Sequence, residues 1–164
     1  MSGSRKLVLI DANGLVYRAF FALPYFTTTD GRPTNAVYGF TNMLLKILDE
    51  EKPDYVSAAF DKAAPTFRHT AYKEYKATRQ RMPDDLRPQI KTAKDVLEAL
   101  KIPIYEVEGY EADDILATIA RRVEGARGRC LLVTGDKDLL HLDLEPPATT
   151  PRELLELLAR PPGD

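Results

Sequence analysis

Seven acidic residues fall in a pattern suited to metal-assisted hydrolysis: Asp11, Asp61, Glu111, Asp113, Asp114, Asp136 and Asp138. They stand just beyond short apolar runs. LVLI precedes Asp11, AAF precedes Asp61, IYEVEGY leads into Glu111, Asp113 and Asp114, and LLVTG leads into Asp136 and Asp138. In an open parallel sheet the carboxyl ends of the strands line the crevice where ligands bind. Carboxylates crowded there raise one another's pKa unless a cation holds them. Hard divalent ions with oxygen ligands, Mg²⁺ or Mn²⁺, are the natural occupants. Two such ions about 3.5–4 Å apart suit in-line displacement at phosphorus, one activating water and the other stabilising the departing oxygen. Singly, each acid has a plainer reading. Asp11 suits a turn or helix cap, and Glu111, Asp113 and Asp114 suit a first helical turn facing the dipole. Asp136 and Asp138 could flank a turn. Four strand ends sharing one feature favour the metal.

A second group is basic. Of 23 Lys/Arg and 25 Asp/Glu in the chain, residues 62–94 hold nine and three, so a +6 segment sits inside a −8 remainder. Within it, FRHTAYKEYKATRQR (67–81) spaces Lys73, Lys76 and Arg79 three apart, along one side of a helix, with Phe67, Tyr72 and Tyr75 between them. Cations meet phosphates and rings stack on bases, so Arg68, Tyr72, Lys73, Tyr75 and Arg81 are candidate nucleic-acid contacts. A solvated basic helix with its aromatics packed inward is the alternative. The segment begins beside Asp61, which favours a device that holds phosphates over metals. Lys76 or Arg79 would then offset transition-state charge.

The elements that must position these groups read as alternating strands and helices. KLVLI (6–10), YVSAAF (55–60), IPIYEV (102–107) and RCLLV (129–133) are strand-like. Helical periodicity runs from Ala36 to Glu50, from Gln89 to Leu100 and from Ala112 to Val123. The alternation predicts a three-layer α/β fold with a parallel sheet covered on both faces. Residues 62–88 break the rhythm as a basic excursion. From Asp143 a Pro-rich link (EPPATTP) leads to a short helix that Thr150 can cap and that Pro161 ends.

Composition narrows the class. With 164 residues and 44% hydrophobic content, the chain suits one ordinary domain. No window holds the roughly 18 apolar residues of a membrane span, and the N-terminal apolar run breaks at Asp11. A single cysteine, Cys130, excludes an internal disulfide and fits a reducing cytoplasm. It reads as a small buried hydrophobe, as Phe20, Phe21, Tyr38 and Phe40 read as core or wall. Tyr17 and Tyr25 are candidate base-stacking contacts. His69 reads as a surface residue, with a phosphate contact as the alternative, His141 ends an apolar run with no partner pattern, and Gly135 reads as a turn former.

These residues also carry a likeness. LVLIDANGLVYRAFFAL, TTTDGRPTNAVYGFTNMLLKIL, AAFDKAAPTFRHTAYKEYKATRQRMPDDLRPQI, VEGYEADDILATIA and LLVTGDKDLL span Lys6 to His141 with no large gap. The sequence resembles the 5′-3′ exonuclease domain of bacterial DNA polymerase I, within the flap-endonuclease group. The resemblance implies a PIN-like (resolvase-like) fold with the seven acids as metal ligands. It implies that Tyr72 to Pro88 corresponds to a helical arch for a 5′ single strand, with Arg18, Lys76 and Arg79 at its phosphate-contacting positions. It places the catalytic domain at residues 1–142, the arch at about 62–94, and a link plus helix at 143–164.

The implied function is divalent-metal-dependent hydrolysis of DNA at 5′ ends or flaps, in replication and repair. After His141 the chain departs from the family pattern, lacking the GDxSDN-type aspartate pair and the helix–hairpin–helix that grips duplex DNA. The second of two metal sites is therefore expected to be incomplete. A monomer is expected, with a completing polypeptide or a downstream polymerase module as partner and no membrane. The alternatives are a DNA-binding relative that cleaves weakly or not at all, and a PIN-type ribonuclease.

Overall fold

The computed structural model describes residues 5–62, 81–126 and 128–134. Four strands alternate with four helices: β1 (Lys6–Asp11), α1 (Ala12–Ala22), α2 (Asn35–Glu51), β2 (Tyr55–Ala59), α3 (Arg87–Ala99), β3 (Ile104–Tyr105), α4 (Ala112–Gly125) and β4 (Arg129–Val133). All pairings are parallel and the strand order is β3-β2-β1-β4. Chain order runs outward from β1 to β3 and then returns to the other side of β1. The reversal lies between β1 and β4, the kind of switch point that opens a crevice at the carboxyl ends.

Side-chain alternation along β1 sends Val8 and Ile10 to one face and Leu7 and Leu9 to the other. The first face carries α1, α2 and α3, whose Leu15, Val16, Phe40, Leu44, Ala93 and Leu97 bury against it. The second is covered by α4 through Ile115 and Leu116. Helices on both faces account for the near-continuous apolar runs of the strands. The expected three-layer α/β architecture is present. No helix among the described residues is long and apolar enough to cross a membrane.

Local chemistry explains the ends of the elements. Asp11 caps α1 by accepting from the Gly14 N–H at 2.9 Å. Lys52 takes a left-handed conformation (φ 42°), its N–H meeting Leu48 O at 3.1 Å, and stops α2 just before Pro53. Pro88 occupies the first turn of α3, where no N–H is needed. The first turn of α2 has no local cap, since Thr34 makes no side-chain bond there. Gln89 supplies one from α3. Its Oε1 accepts from Ala36 N (2.7 Å) and Val37 N (3.2 Å), and its Nε2 donates to Asn35 Oδ1 and Asp85 O, both at 3.0 Å. Asn35 Nδ2 in turn donates to Phe20 O at 3.1 Å. Leaving any one of these buried groups unpaired would cost about 1–3 kcal/mol.

Several expectations change. Helix α1 has no counterpart among the elements expected from periodicity. It follows β1 without a breaker, and its apolar stripe is the short set Ala12, Leu15, Val16 and Ala19. The run 102–107 forms a strand only at Ile104 and Tyr105, as Pro103 has no N–H to give. Phe40 is core, but Phe21 and Tyr38 are 68% and 57% exposed, because they point away from the stripes that face the sheet. The basic window 62–94 is divided: residues 87–94 belong to α3, where Lys94 pairs with Glu106 and lies 5.0 Å over the Phe60 ring. That part is a helix packed on the core. Residues 63–80, and the link and helix expected at 143–164, lie outside the described residues.

Candidate functional site at the carboxyl edge of the sheet

Asp11 ends β1 and begins α1, so its carboxylate serves both elements. Oδ1 takes the Gly14 N–H, while Oδ2 accepts from Thr134 Oγ1 at 3.1 Å. Thr134 follows Val133, the partner of Ile10 in the β1–β4 register, and so arrives directly opposite Asp11. Gly14 is small for a reason: a Cβ there would run into the Asp11 carboxylate. Asp11 is 5% exposed.

Asp61, two residues past β2, reaches both neighbouring helices. Its Oδ2 accepts from Asn13 Nδ2 at 3.1 Å in the first turn of α1. Its Oδ1 accepts from Ala112 N at 2.7 Å, the first residue of α4. The partial positive charge of the α4 N-terminus meets this carboxylate. Glu111 caps α4 in a reciprocal box with Asp114: the Glu111 side chain takes the Asp114 N–H, and Asp114 Oδ2 takes the Glu111 N–H at 3.0 Å. Glu111 and Asp114 are 6% and 5% exposed, and Asp113 is half-buried in the same turn. Thr118 Oγ1 donates to Asp114 O at 2.7 Å.

Of the seven acids expected, five are thus described, and they lie at the starts of α1 and α4 and past the end of β2. Asp136 and Asp138 lie outside the described residues. The donor set is all oxygen, which matches a hard divalent ion. Among the described residues, however, no group of three or more His, Cys, Asp or Glu is spaced to hold a metal ion. The carboxylates bind protein N–H and O–H groups instead, so the described residues supply the ligand type but not a closed cage.

The basic candidates are less well placed by the structure. Arg18 is exposed on α1, and Arg81 is exposed with its guanidinium 3.5 Å from Asp84. Lys76, Arg79, Arg68, Tyr72, Lys73 and Tyr75 lie outside the described residues. Tyr25 is exposed and Tyr17 is half-buried. Three supporting residues escape a reading focused on acids: Asn13, Thr134 and Gln89. The tripeptide Asp-Ala-Asn after a strand, and Thr before Gly-Asp, are the signals that could have found the first two. Gln89 leaves none, since a polar residue on an apolar helix stripe reads as a break in the pattern.

Comparison with known proteins places this geometry. The family model described as 5′-3′ exonuclease, N-terminal resolvase-like domain, matches residues 6–149. DNA polymerase I of Caldicellulosiruptor bescii is 50% identical over 137 residues, covering 84% of this chain and 16% of that protein. DNA polymerase I of Bacillus subtilis is 47% identical over 142 residues, covering 87% and 16%. This chain therefore spans about one sixth of the length of these relatives. Among solved structures, the T5 D15 protein co-crystallised with metal ions aligns with a TM-score of 0.62 at 19% identity, over 82% of this chain and 50% of that one. The bacteriophage T5 D15 flap endonuclease with DNA and metal ions aligns at 0.58 and 22%, over 82% and 50%. These two likenesses bear on the fold, which they share with the sheet and helices described above. The match over 6–149, together with relatives near 50% identity, settles the family: the chain belongs to the 5′-3′ exonuclease N-terminal resolvase-like domain family.

Proposed function

We propose that this chain is a divalent-metal-dependent nuclease domain that hydrolyses DNA phosphodiester bonds at 5′ ends or flaps, in replication and repair. The observation that carries the reading is Asp61, whose two oxygens tie the start of α1 to the start of α4 beside Asp11 and Glu111. That places acids from three segments along the crevice edge of the sheet. The family relationship supports the same reading, since its relatives include DNA polymerase I.

Asp11, Asp61, Glu111, Asp113 and Asp114 would hold Mg²⁺ or Mn²⁺ together with Asp136 and Asp138. Bound there, a divalent ion would supply an activated water and a counter-charge for the departing oxygen. The residues themselves have distinct tasks. Thr134 and the Gly14 N–H orient the two Asp11 oxygens, and Asn13 orients Asp61. Asp114 fixes the backbone at Glu111 and so the direction of the Glu111 side chain. Asp11 and Glu111 are themselves buried, which shields their carboxylates from bulk water. Arg18, Lys76 and Arg79 would bind the phosphates, with Arg68, Tyr72, Lys73, Tyr75 and Arg81 along the strand. A polymerase module or another polypeptide would supply the rest of the duplex contact.

Hydrolysis of a 5′-labelled flap DNA in Mg²⁺, against chelator and against a structured RNA, tests the proposal. Mg²⁺-dependent release of the flap is expected, with the RNA untouched. Asp61→Asn should lower the rate by more than the roughly 10–100-fold that loss of an outer-shell partner costs. Binding without turnover would establish a DNA-binding relative instead, and preferential RNA cleavage a PIN-type ribonuclease.

A further inference from the structure

The face of the sheet that α4 covers carries a groove with no part in the chemistry at the carboxyl ends. It holds about 590 Å³ and runs beside the last two turns of α4. Ile119, Arg122, Val123 and Ala126 form one wall, spaced three and four apart so that a single side of the helix faces the groove. Leu7 of β1 and Ser57 of β2 lie across from them, with Tyr55 and Tyr105 beyond. Leu7 pairs with Tyr55 near the starts of their strands, whereas Asp11 ends β1 and Asp61 lies past the end of β2. The groove therefore sits toward the opposite edge of the sheet from the acids.

Two side chains give the groove a ligand chemistry. Ser57 is 6% exposed, yet its Oγ meets no hydrogen-bond partner among the described residues. An unmet hydroxyl between apolar walls is unfavourable, and a ligand atom that pairs with it removes the penalty. Arg122 is exposed and makes no ion pair among the described residues, none of which brings a carboxylate to the groove. Arg5 adds a second cation at the rim, since its guanidinium lies 5.8 Å over the Tyr55 ring and donates to the Tyr55 hydroxyl at 2.6 Å. A fitting ligand brings apolar groups for the walls, carboxylates for the rim and a polar atom for the floor. A helical peptide keeps its N–H and C=O groups for itself and leaves Ser57 unmet, whereas an extended peptide has them free. Side chains of an extended segment alternate in direction, so every second one can enter the groove while those between reach Arg122.

We propose that this groove docks an extended acidic segment of a separate protein, in which apolar residues alternate with carboxylates. The apolar side chains enter between α4 and β2, a main-chain group bonds Ser57 Oγ, and the carboxylates pair with Arg122. The wall from Ile119 to Ala126 is about 10 Å long, room for about three extended residues. A partner held there leaves the carboxyl edge of the sheet open to substrate. The proposal stands apart from the nuclease reading, because neither Ser57 nor Arg122 bonds to the acids of the crevice.

The test uses the full chain and the fluorescein-labelled hexapeptide ELELEL, with binding followed by fluorescence anisotropy at low ionic strength. ESESES lacks the apolar side chains, and KLKLKL reverses the charge. ELELEL should bind, ESESES should not, and added salt should weaken the complex. Ser57→Ala should lower the affinity for ELELEL about two- to tenfold, the net worth of one hydrogen bond. Arg122→Glu should lower it about three- to tenfold, as an exposed ion pair is replaced by repulsion, and should make KLKLKL the better ligand of that variant. Arg122 is exposed and unpaired, so this variant tests the proposal even where Ser57→Ala disturbs the strand. No binding of ELELEL, equal binding of ELELEL and ESESES, or an affinity that Arg122→Glu leaves unchanged would each overturn the docking site. Two other occupants have their own signatures, and either would also overturn it. Self-association of the unmodified chain that Arg122→Glu abolishes would assign the groove to a second copy. A thermal midpoint that Arg122→Glu lowers, with ELELEL unbound by the unmodified chain, would assign it to a segment of this same chain.

Discussion

The two faces of the sheet are built unequally. On one, α1, α2 and α3 bury Phe40, Leu44, Phe60, Leu86 and Leu97 completely. On the other, among the described residues, α4 alone packs Ile115 and Leu116 against Leu9 and Ala59. Beside the C-terminal half of α4 that thinner face keeps a groove of about 590 Å³, lined by residues including Leu7, Tyr55, Ser57, Tyr105, Ile119 and Arg122. The acids straddle the seam: Asp11 caps a helix of the thick face, Glu111 caps the helix of the thin one, and Asp61 bonds to both. The contrast teaches that stability and chemistry are divided in this domain. One face anchors the fold, and the other needs only to hold the start of α4 against the carboxyl ends.

Core truncations on the two faces put that division at risk first. Phe40→Ala, on the thick face, should cost about 3–5 kcal/mol by urea denaturation. Ile115→Ala should fall near the lower end of the roughly 2–5 kcal/mol range, because a single helix beside an open groove can settle into the space. Equal costs would show that the thin face is as well anchored as the thick one. A smaller effect sharpens the picture of how the thick face is assembled. Gly39 on α2 lies so close to α1 that a Cβ would sit 2.8 Å from both Ala19 Cβ and Leu23 Cδ1. Gly39→Ala should therefore cost about 1–3 kcal/mol despite the better helix propensity of alanine. A stabilised variant would mean that α1 and α2 can move apart.

Cys130 gives the smallest effect and reports on the thin face. Burial, with Glu124 nearby, raises its thiol pKa above the ordinary value. At pH 8 the folded chain should be alkylated more slowly than the same chain in urea, since the thiolate is the nucleophile. Equal rates would show that α4 opens freely from β4 and β1.

Much of the architecture is legible along the chain, because its signals are short-range. β4 matches the run RCLLV, β1 differs by one residue, and α2 extends one residue beyond the expected helix at each end. Acids after apolar runs could be found in the same way, since strand, turn and helix start follow one another within a few residues. Helix α1 was hidden by its own cap. Asp11 draws attention as a ligand, and a strand that passes straight into a helix leaves no breaker to mark the change.

The sequence by itself determined most of the elements, though not helix α1, and the placing of acids after the strands, as hydrophobic period and turn chemistry are properties of neighbouring residues. The strand order β3-β2-β1-β4 was settled only by tertiary structure, and with it the meeting of Asp11 and Thr134 across 123 positions. So was the role of Gln89, whose partners in α2 lie more than 50 residues away. The physical reason is common to both. A buried hydrogen bond takes its value from the absence of water around it, and only the packed core creates that condition.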